Sequence, residues 1–307
     1  MHDLATVTHH LQKRVRQVIS GKDEAVRLAW IALLCDGHLL LEDLPGVGKT
    51  SLAQTLGRLL SMEYQRIQFT SDLLPADILG AQIYSRDKGR FDFHPGPIFT
   101  QLLLADELNR ATPKAQSALL EAMEERQVTI DGEARTLPAP FYVIATQNPQ
   151  SQSGTYPLPE SQLDRFFLRI SLGYPDVNSE KSLLKGELGR THLLDLKPML
   201  SAEQLAFYKQ QIADVKASEA VLDYVMRLVH KTRDPQVCRL GLSPRGALAL
   251  MTASRAMALT EGRNYVMPDD VQAVFPAVAG HRIQGQRSLD SEVLVRQVLD
   301  DVDVIAA

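Results

Sequence analysis

A glycine-rich loop between an apolar run and a helical pattern limits the possible folds of this chain more than any other feature. Residues 39–41 are all leucine, as in a buried strand, and residues 51–60 have the apolar spacing of a helix. Glycines let backbone amides close around phosphate groups, and a helix N-terminus adds a positive field there. The sequence therefore predicts a site for ATP or ADP, formed by Pro45, Gly46, Val47, Gly48, Lys49, Thr50 and Ser51.

Two residues at the end of this loop carry its specific chemistry. We expect the Lys49 ammonium to contact the phosphates and the Thr50 hydroxyl to ligate Mg²⁺. The strict form of the loop has glycine six residues before the lysine, where this chain has Asp43. Aspartate adopts unusual backbone angles more readily than most residues, so the loop is still expected to form. The competing interpretation, a chance glycine-rich turn, is disfavoured by the flanking strand and helix.

A pair of acids follows the next apolar run along the chain. Residues 98–105 are nearly all apolar, as in a strand buried on both faces, and Asp106 and Glu107 come directly after them. We expect Asp106 to hold Mg²⁺, directly or through water, and Glu107 to polarise the attacking water. Two acids after an apolar run usually mark a strand emerging into solvent. Their position after a phosphate loop favours the functional interpretation, which makes the chain an ATPase.

A polar residue ends a further predicted strand. Residues 141–145 are apolar, and Asn148 lies three residues later, before Pro149. Parallel sheets bind ligands at the carboxyl ends of their strands, so Asn148 is expected between Glu107 and the terminal phosphate. The alternative is a plain Asn-Pro turn.

The order of the predicted elements indicates the fold class. Strands alternate with helices up to about Tyr174, which predicts a parallel sheet with helices on both faces. Every later segment has a helical pattern, with starts expected at Ser179, Ser201, Ser218, Ser243 and Pro268. We therefore expect a nucleotide-binding domain at 1–174 and a helical domain at 175–307. An irregular stretch at about 71–96 contains a short alternating strand, and Asp131-Gly132 indicates a hairpin at about 127–138.

Composition excludes several other classes of protein. The net charge is −4, which argues mildly against a nucleic-acid partner. The two cysteines, Cys35 and Cys238, are far apart, and no Cys/His cluster has metal-ligand spacing. No signal-peptide pattern is visible at the N-terminus, and the apolar runs are too short to cross a bilayer. We expect a cytoplasmic protein without membrane insertion.

Three long stretches together resemble one known family. They are residues 106–125, residues 145–149 and residues 154–166, and they occur in the order expected for the MoxR family of AAA+ ATPases. The resemblance covers nearly the whole chain. It follows the family's phosphate loop from Pro45 onward, so that Asp43 is no obstacle to it.

The resemblance implies an α/β fold: a P-loop AAA+ αβα core with a five-stranded parallel sheet, followed by a smaller all-α lid domain. It also implies a homo-oligomer in the form of a hexameric ring, with Asn148 as the sensor-one residue. Arg165 matches the arginine finger, which reaches the γ-phosphate of the neighbouring subunit, and Arg245 matches sensor two, which bridges lid and γ-phosphate. Without the resemblance, Arg165 is equally well a surface charge. The alternative for Arg245 is an ordinary solvated arginine in the first turn of a helix, a position where the helix dipole disfavours a cation and which therefore favours the functional interpretation.

Two further segments resemble family features. Val18, Ile19 and Gly21 resemble the segment that contacts adenine, although these residues are equally suited to an ordinary core. The stretch at 71–96 resembles the insertion in the second helix of this AAA+ clade. Its Phe91 and Phe93 alternate as half-buried aromatics of a strand do, and we expect them to pack rather than to contact partners.

The resemblance implies an ATP-driven remodeller that changes partner proteins or helps to insert their metal or cofactor, with partners that contain von Willebrand factor A domains. Three alternatives remain open at this point. They are the ATPase subunit of a metal chelatase, a nucleic-acid motor or loader, and a nucleotide-gated scaffold with little turnover.

Overall fold

The computed structural model describes residues 3–148, 154–186, 190–286 and 290–305. Its helices are α1 (Leu4–Val15), α2 (Asp23–Leu34), α3 (Lys49–Leu59), α4 (Pro75–Leu79), α5 (Pro113–Glu125), α6 (Glu160–Leu163), α7 (Val177–Leu184), α8 (Arg190–Asp195), α9 (Ala202–Asp214), α10 (Glu219–Thr232), α11 (Pro244–Thr260), α12 (Pro268–Ala279) and α13 (Ser291–Asp300). Its strands are β1 (Leu39–Glu42), β2 (Tyr64–Gln68), β3 (Gly80–Ser85), β4 (Arg90–Pro95), β5 (Leu102–Asp106), β6 (Gln127–Ile130), β7 (Glu133–Thr136), β8 (Tyr142–Gln147), β9 (Leu168–Ile170), β10 (Cys238–Leu240) and β11 (Gln284–Gly285). A 3₁₀ helix spans Leu108–Arg110.

A five-stranded parallel sheet, in the order β2-β5-β8-β1-β9, forms the centre of the molecule. The predicted fold, a parallel sheet of five strands followed by a helical region, is confirmed. The strand expected at 98–105 begins only at Leu102, because the turn after Gly96 continues through residue 101. Parallel strands end at the same edge, so the residues that follow β1, β5 and β8 meet there.

The sheet separates two apolar layers. Leu39 and Leu41 face the layer formed with α1, α2 and α3, where Trp30 is fully buried. Leu40 and Leu103 face the opposite layer, formed with α5. Successive strand residues point to opposite faces, so a strand covered on both sides is apolar throughout, as β1 is.

The helical region after β9 packs on the first layer and on the sheet edge, where α11 contacts α1 and α2, and α12 contacts β9. The predicted starts at Ser201, Ser218 and Ser243 are confirmed, since each serine hydroxyl accepts an amide hydrogen bond at the N-cap of α9, α10 or α11. The start predicted at Ser179 is wrong. Asp176 caps α7 instead, because its carboxylate accepts the amides of both residue 178 and residue 179.

In the described part of the chain, three short antiparallel ribbons lie outside the main sheet. β3 pairs with β4, β6 pairs with β7, and β10 pairs with β11 inside the helical region. The third ribbon was not predicted, because strands of two or three residues are too short to show alternation. In the first ribbon Phe93 packs against Phe99 as expected, whereas Phe91 is 63% exposed, contrary to the prediction. No helix in the described ranges is long and apolar enough to cross a membrane.

Candidate nucleotide site

A cavity of about 350 Å³ opens at the carboxyl edge of the sheet, between the ends of β1, β5 and β8. We call it the phosphate cavity. It brings together most of the residues predicted from the three motifs, and its lining consists of Pro45, Gly46, Gly48, Lys49, Thr50, Ser51, Asp106, Glu107, Thr146, Gln147 and Asn148. Val47, between the two glycines, points away and is buried in the first apolar layer.

The loop has the backbone that a phosphate cradle requires. Gly46 and Gly48 have φ angles of 84° and 102°, which residues with a Cβ rarely adopt. A Cβ built on either glycine meets nothing within 4 Å, so the space in front of the loop is open. Gly48 is also the N-cap of α3, whose first amides have no partners within the helix and face the cavity. The arrangement suits an anion.

Lys49 is held by the loop itself. Its ammonium donates to the carbonyl of Asp43 at 2.5 Å and to the carbonyl of Leu44 at 3.0 Å. Burial lowers the pKa of Lys49 below its usual value, while the carboxylates of Asp43, Asp106 and Glu107 act in the opposite direction. A bound phosphate would accept hydrogen bonds from the Lys49 ammonium in place of these two carbonyls.

Asp43 has a structural role that the loop pattern did not reveal. Its Oδ2 accepts hydrogen bonds from the amides of Leu172 and Gly173, the latter at 2.9 Å, and from the Ser171 hydroxyl at 3.1 Å. Asp43 is not among the described residues with positive φ, so the backbone freedom of aspartate is not what permits it here. The carboxylate instead ties the start of the loop to the residues that follow β9.

Thr146 organises the two acids. Its hydroxyl donates to Asp106 Oδ1 at 2.6 Å and accepts the Glu107 amide at 2.8 Å, which fixes the sharp bend at Glu107, where φ is 56°. Asp106 Oδ2 accepts from the Arg66 guanidinium at 2.7 Å. The sequence analysis did not select Thr146 or Arg66. The sequence signal for Thr146 was a polar residue directly after the apolar run at 141–145.

One oxygen of the Glu107 carboxylate is occupied. Its Oε2 accepts from the Gln68 amide at 2.8 Å and from the Arg110 guanidinium at 2.8 Å. These donors come from β2 and from the 3₁₀ helix. Glu107 also lines the phosphate cavity, and a carboxylate has further acceptor sites for a water molecule there.

The donor atoms of the cavity fit Mg²⁺. The Thr50 hydroxyl and the Asp106 carboxylate both line it, and Mg²⁺ prefers oxygen ligands. Among the described residues no group of three or more His, Cys, Asp or Glu could hold a metal by itself. Mg²⁺ in nucleotide sites needs no such group, since it binds through one or two protein oxygens, substrate phosphates and water.

Arg165 and Arg245 lie elsewhere. Both contact Glu124 near the end of α5: Arg165 Nη2 lies 3.0 Å from Oε2, and Arg245 binds Oε1. We call Arg165, Arg245 and Glu124 the arginine cluster. It borders a separate cavity of about 250 Å³, and neither arginine lines the phosphate cavity of its own chain. The structure thus places Arg245 outside the cavity that it was expected to approach, because its guanidinium pairs with Glu124 at the end of α5.

The candidate adenine residues are also outside the phosphate cavity. Val18 is buried and Ile19 packs against the same core, as in the ordinary structural interpretation of this segment. Gly21 is exposed, has a φ of 73°, and lines a neighbouring cavity of about 770 Å³ with Glu42 and Leu172.

Comparisons with known proteins agree with this architecture. Residues 38–168 match the model of the ATPase family associated with various cellular activities (AAA), and residues 230–302 match the AAA lid domain. The uncharacterized protein YeaC of Bacillus subtilis is 42% identical over an alignment of 307 positions, which covers 98% of this chain and 96% of YeaC. Chaperone MoxR1 of Mycobacterium tuberculosis is 40% identical over an alignment of 316 positions, which covers 97% of this chain and 83% of MoxR1.

Two further relatives extend the comparison. Protein MoxR of Methylorubrum extorquens is 30% identical over an alignment of 298 positions, which covers 89% of this chain and 86% of that protein. A crystal structure of a candidate ATPase from Cytophaga hutchinsonii superposes with a TM-score of 0.88 and 35% identity, over 98% of this chain and 95% of that one. The chain is therefore an AAA ATPase of the MoxR family.

Proposed function

We propose that this ATPase couples the binding and hydrolysis of Mg²⁺-ATP to remodelling or maturation of partner proteins, including insertion of a metal or cofactor. One observation carries the enzymatic part: Lys49, Thr50, Asp106, Glu107 and Asn148, taken from three separate motifs, line a single cavity. The chaperone part rests on the likeness to Chaperone MoxR1, at 40% identity over nearly the whole chain.

Each residue of the cavity has a distinct task in the proposed mechanism. The loop amides and Lys49 bind the phosphates, and Thr50 and Asp106 hold Mg²⁺, which neutralises charge on the phosphate oxygens. Glu107 orients the attacking water. Asn148, which lines the same cavity as Glu107, senses the γ-phosphate.

We further propose that the site is completed by a neighbouring subunit in a homo-oligomeric, hexameric ring. Arg165 and Arg245 are remote from their own loop, so they are available to the nucleotide of a neighbour. A cation supplied across an interface stabilises the transition state of phosphoryl transfer and makes hydrolysis depend on assembly.

The proposed domain division is 1–174 for the core, with an insertion at about 71–96 and a hairpin at about 127–138, and 175–307 for the lid. The insertion presents an apolar surface, since Ile83, Tyr84 and Phe91 are 53%, 53% and 63% exposed. We propose this surface as a contact for the client, and a protein with a von Willebrand factor A domain as the client or co-chaperone.

Phosphate release by the Glu107→Gln variant tests the enzymatic proposal. The amide keeps the shape of the side chain but cannot accept the proton of water, so turnover should fall by about a hundredfold or more. Binding of fluorescent ADP should stay within a factor of about two of wild type, with the exposed Glu121→Gln as the matched control. Equal turnover in wild type and Glu107→Gln would instead indicate a nucleotide-gated scaffold.

Co-purification tests the partner. Glu107→Gln held in ATP should retain a client that wild type releases, and mass spectrometry should identify a protein with a von Willebrand factor A domain. Recovery of the same proteins with the Lys49→Ala variant would contradict nucleotide-dependent capture.

A further inference from the structure

Arg282 is the most completely bonded charged side chain near the arginine cluster. It follows α12 and its side chain is only 3% exposed. Its five N–H groups all have acceptors: Asp164 Oδ1 at 2.7 Å, and the carbonyls of Val278, Phe166, Phe167 and Asp164 at 2.7, 2.5, 3.1 and 3.2 Å. Burial lowers the pKa of Arg282, and the carboxylate of Asp164 opposes this change. A buried guanidinium with this many partners fixes the backbone that it contacts.

Asp164 joins that network to the helix that carries Arg245. Its second oxygen, Oδ2, accepts the Ser243 hydroxyl at 2.9 Å, and Ser243 in turn accepts the Gly246 amide at 2.9 Å as the N-cap of α11. A Cβ built on Gly246 would lie 3.0 Å from Arg282 Cδ, so the first turn of α11 rests directly on Arg282. One carboxylate therefore contacts both the lid arginine and the start of α11.

The two outer arginines are attached to this support from opposite sides. Arg165 directly follows Asp164 in the chain, and Arg245 lies in the first turn of α11. Their side chains are 29% and 49% exposed, whereas that of Arg282 is 3% exposed. Glu124, 35% exposed, is a single carboxylate shared by two guanidiniums, so the pair carries excess positive charge at an accessible surface.

We infer that Asp164 and Arg282 are positioning residues, which hold Arg165 and Arg245 side by side as one unit that acts on the nucleotide of a neighbouring subunit. This inference rests on the proposed intersubunit role of Arg165. Arg282 belongs to the lid region and Asp164 to the segment before β9, so their pairing holds the start of α11, and with it Arg245, against the segment that carries Arg165. Displacing a catalytic cation by about 1 Å is enough to reduce a rate by about a hundredfold.

Mixing of variant subunits tests the inference. Arg282→Lys keeps the charge but loses the planar fork, and Asp164→Asn keeps the shape but loses the charge. Each should bind nucleotide like wild type and hydrolyse ATP about tenfold to a hundredfold more slowly. Each should regain activity when mixed with Lys49→Ala subunits, which lack a working loop but supply intact arginines. Neither should regain activity when mixed with Arg165→Ala subunits.

Two controls separate this inference from the proposed function. A mixture of Lys49→Ala with Arg165→Ala should be active, and its failure would overturn the intersubunit finger itself. Arg263→Lys alters a comparable arginine in the lid region, which binds Asp270 at 2.5 and 2.7 Å away from the arginine cluster. It should leave hydrolysis unchanged.

The outcomes against the inference are specific. With the finger control active, wild-type turnover in Arg282→Lys and Asp164→Asn would overturn it. The inference would also be overturned if Lys49→Ala subunits did not restore the hydrolysis lost in Asp164→Asn. A loss of hydrolysis of equal size in Arg263→Lys would overturn it as well. Asp164 is 22% exposed, so its variant carries the test if Arg282→Lys does not fold.

Discussion

The phosphate cavity and the arginine cluster are built from the chain in opposite ways. The cavity is formed by the loop residues 45, 46 and 48–51 and by the ends of two strands that neighbour each other in the sheet. The arginine cluster instead joins Glu124 and Arg165, which precede β9, to Arg245 at the start of α11, and so depends on contacts between distant segments. The comparison leads us to expect that the proposed mechanism has a rigid half in the phosphate cavity and an adjustable half in the arginine cluster.

The largest expected effect separates the two halves most directly. Arg165→Ala should reduce kcat by about a thousandfold, because an arginine finger stabilises the charge of the transition state. Nucleotide binding should stay near the wild-type level, since Arg165 does not line the phosphate cavity of its own chain. Steady-state phosphate release and fluorescent-ADP titration measure the two quantities. The exposed Arg90→Ala is the control, and a comparable loss of binding in Arg165→Ala would break the comparison.

Lys49→Ala should lose nucleotide binding, which Arg165→Ala is expected to keep. The variant loses a partly buried cation that faces the phosphates, so the affinity for ADP should fall by about a hundredfold, and hydrolysis with it. Titration with fluorescent ADP checks the result against Lys114→Ala, an exposed lysine on α5. Unchanged affinity in Lys49→Ala would remove the phosphate cavity as the nucleotide site.

Asp43→Asn tests how firmly the rigid half is anchored. The carboxylate accepts three hydrogen bonds from residues 171–173, and its loss should lower the free energy of unfolding by about 1–3 kcal/mol. The affinity for ADP should also fall, because the loop loses its tie to the residues after β9. Asp77→Asn is the matched control, since Asp77 accepts the Leu74 amide at 2.8 Å outside the cavity. It should affect stability alone, and equal ADP affinity in both variants would contradict the anchoring role.

The stability of the folded chain should depend on pH through two buried histidines, His38 and His281. Burial lowers the pKa of His38 to about 3 and that of His281 well below its usual value. Both are neutral in the folded chain: His38 Nε2 donates to the Met123 carbonyl and Nδ1 accepts the Val143 amide, while His281 Nε2 donates to the Phe166 carbonyl. The unfolded chain binds protons at these histidines below about pH 6.5, and the folded chain does not.

Stability is therefore complete above about pH 6.5 and falls as the pH decreases toward 3, by about 1.4 kcal/mol per pH unit for each histidine. Urea denaturation at pH 7.5, 6 and 5 measures this slope. In His281→Gln the slope should be smaller by the contribution of one histidine, and in the exposed variant His9→Gln it should not change. An unchanged slope in His281→Gln would show that His281 is not the buried neutral group described.

Much of the fold and of the phosphate cavity followed from short stretches of sequence. The leucines of β1, the two glycines of the loop and the acids after β5 each carry a local signal, since burial, backbone angle and strand ends are properties of a few neighbouring residues. Thr146 and Arg66 gave weaker signals. Their meaning depends on Asp106, which lies 40 residues away from each.

Asp43 shows where motif reasoning was incomplete. The sequence presented it as a tolerated replacement for glycine, yet its side chain binds donors of residues 171–173, about 130 residues later in the chain. Such a role is invisible in the loop pattern, because the acceptor and its donors meet only after β1 and β9 have paired.

By itself the sequence determined the fold and predicted the kind of chemistry: a loop for phosphates, oxygen ligands for a metal, an acid for water, and a sheet whose parallel strands bring them to one edge. Only the tertiary structure decided that Arg165 and Arg245 share one carboxylate, and that Arg282 pairs with Asp164 beside them. The physical reason is the range of the interactions. Backbone angle and strand burial are set by neighbours along the chain, whereas the partner of a charge is set by the packing of distant segments, and this chain offers 33 basic and 37 acidic side chains from which such pairs can form.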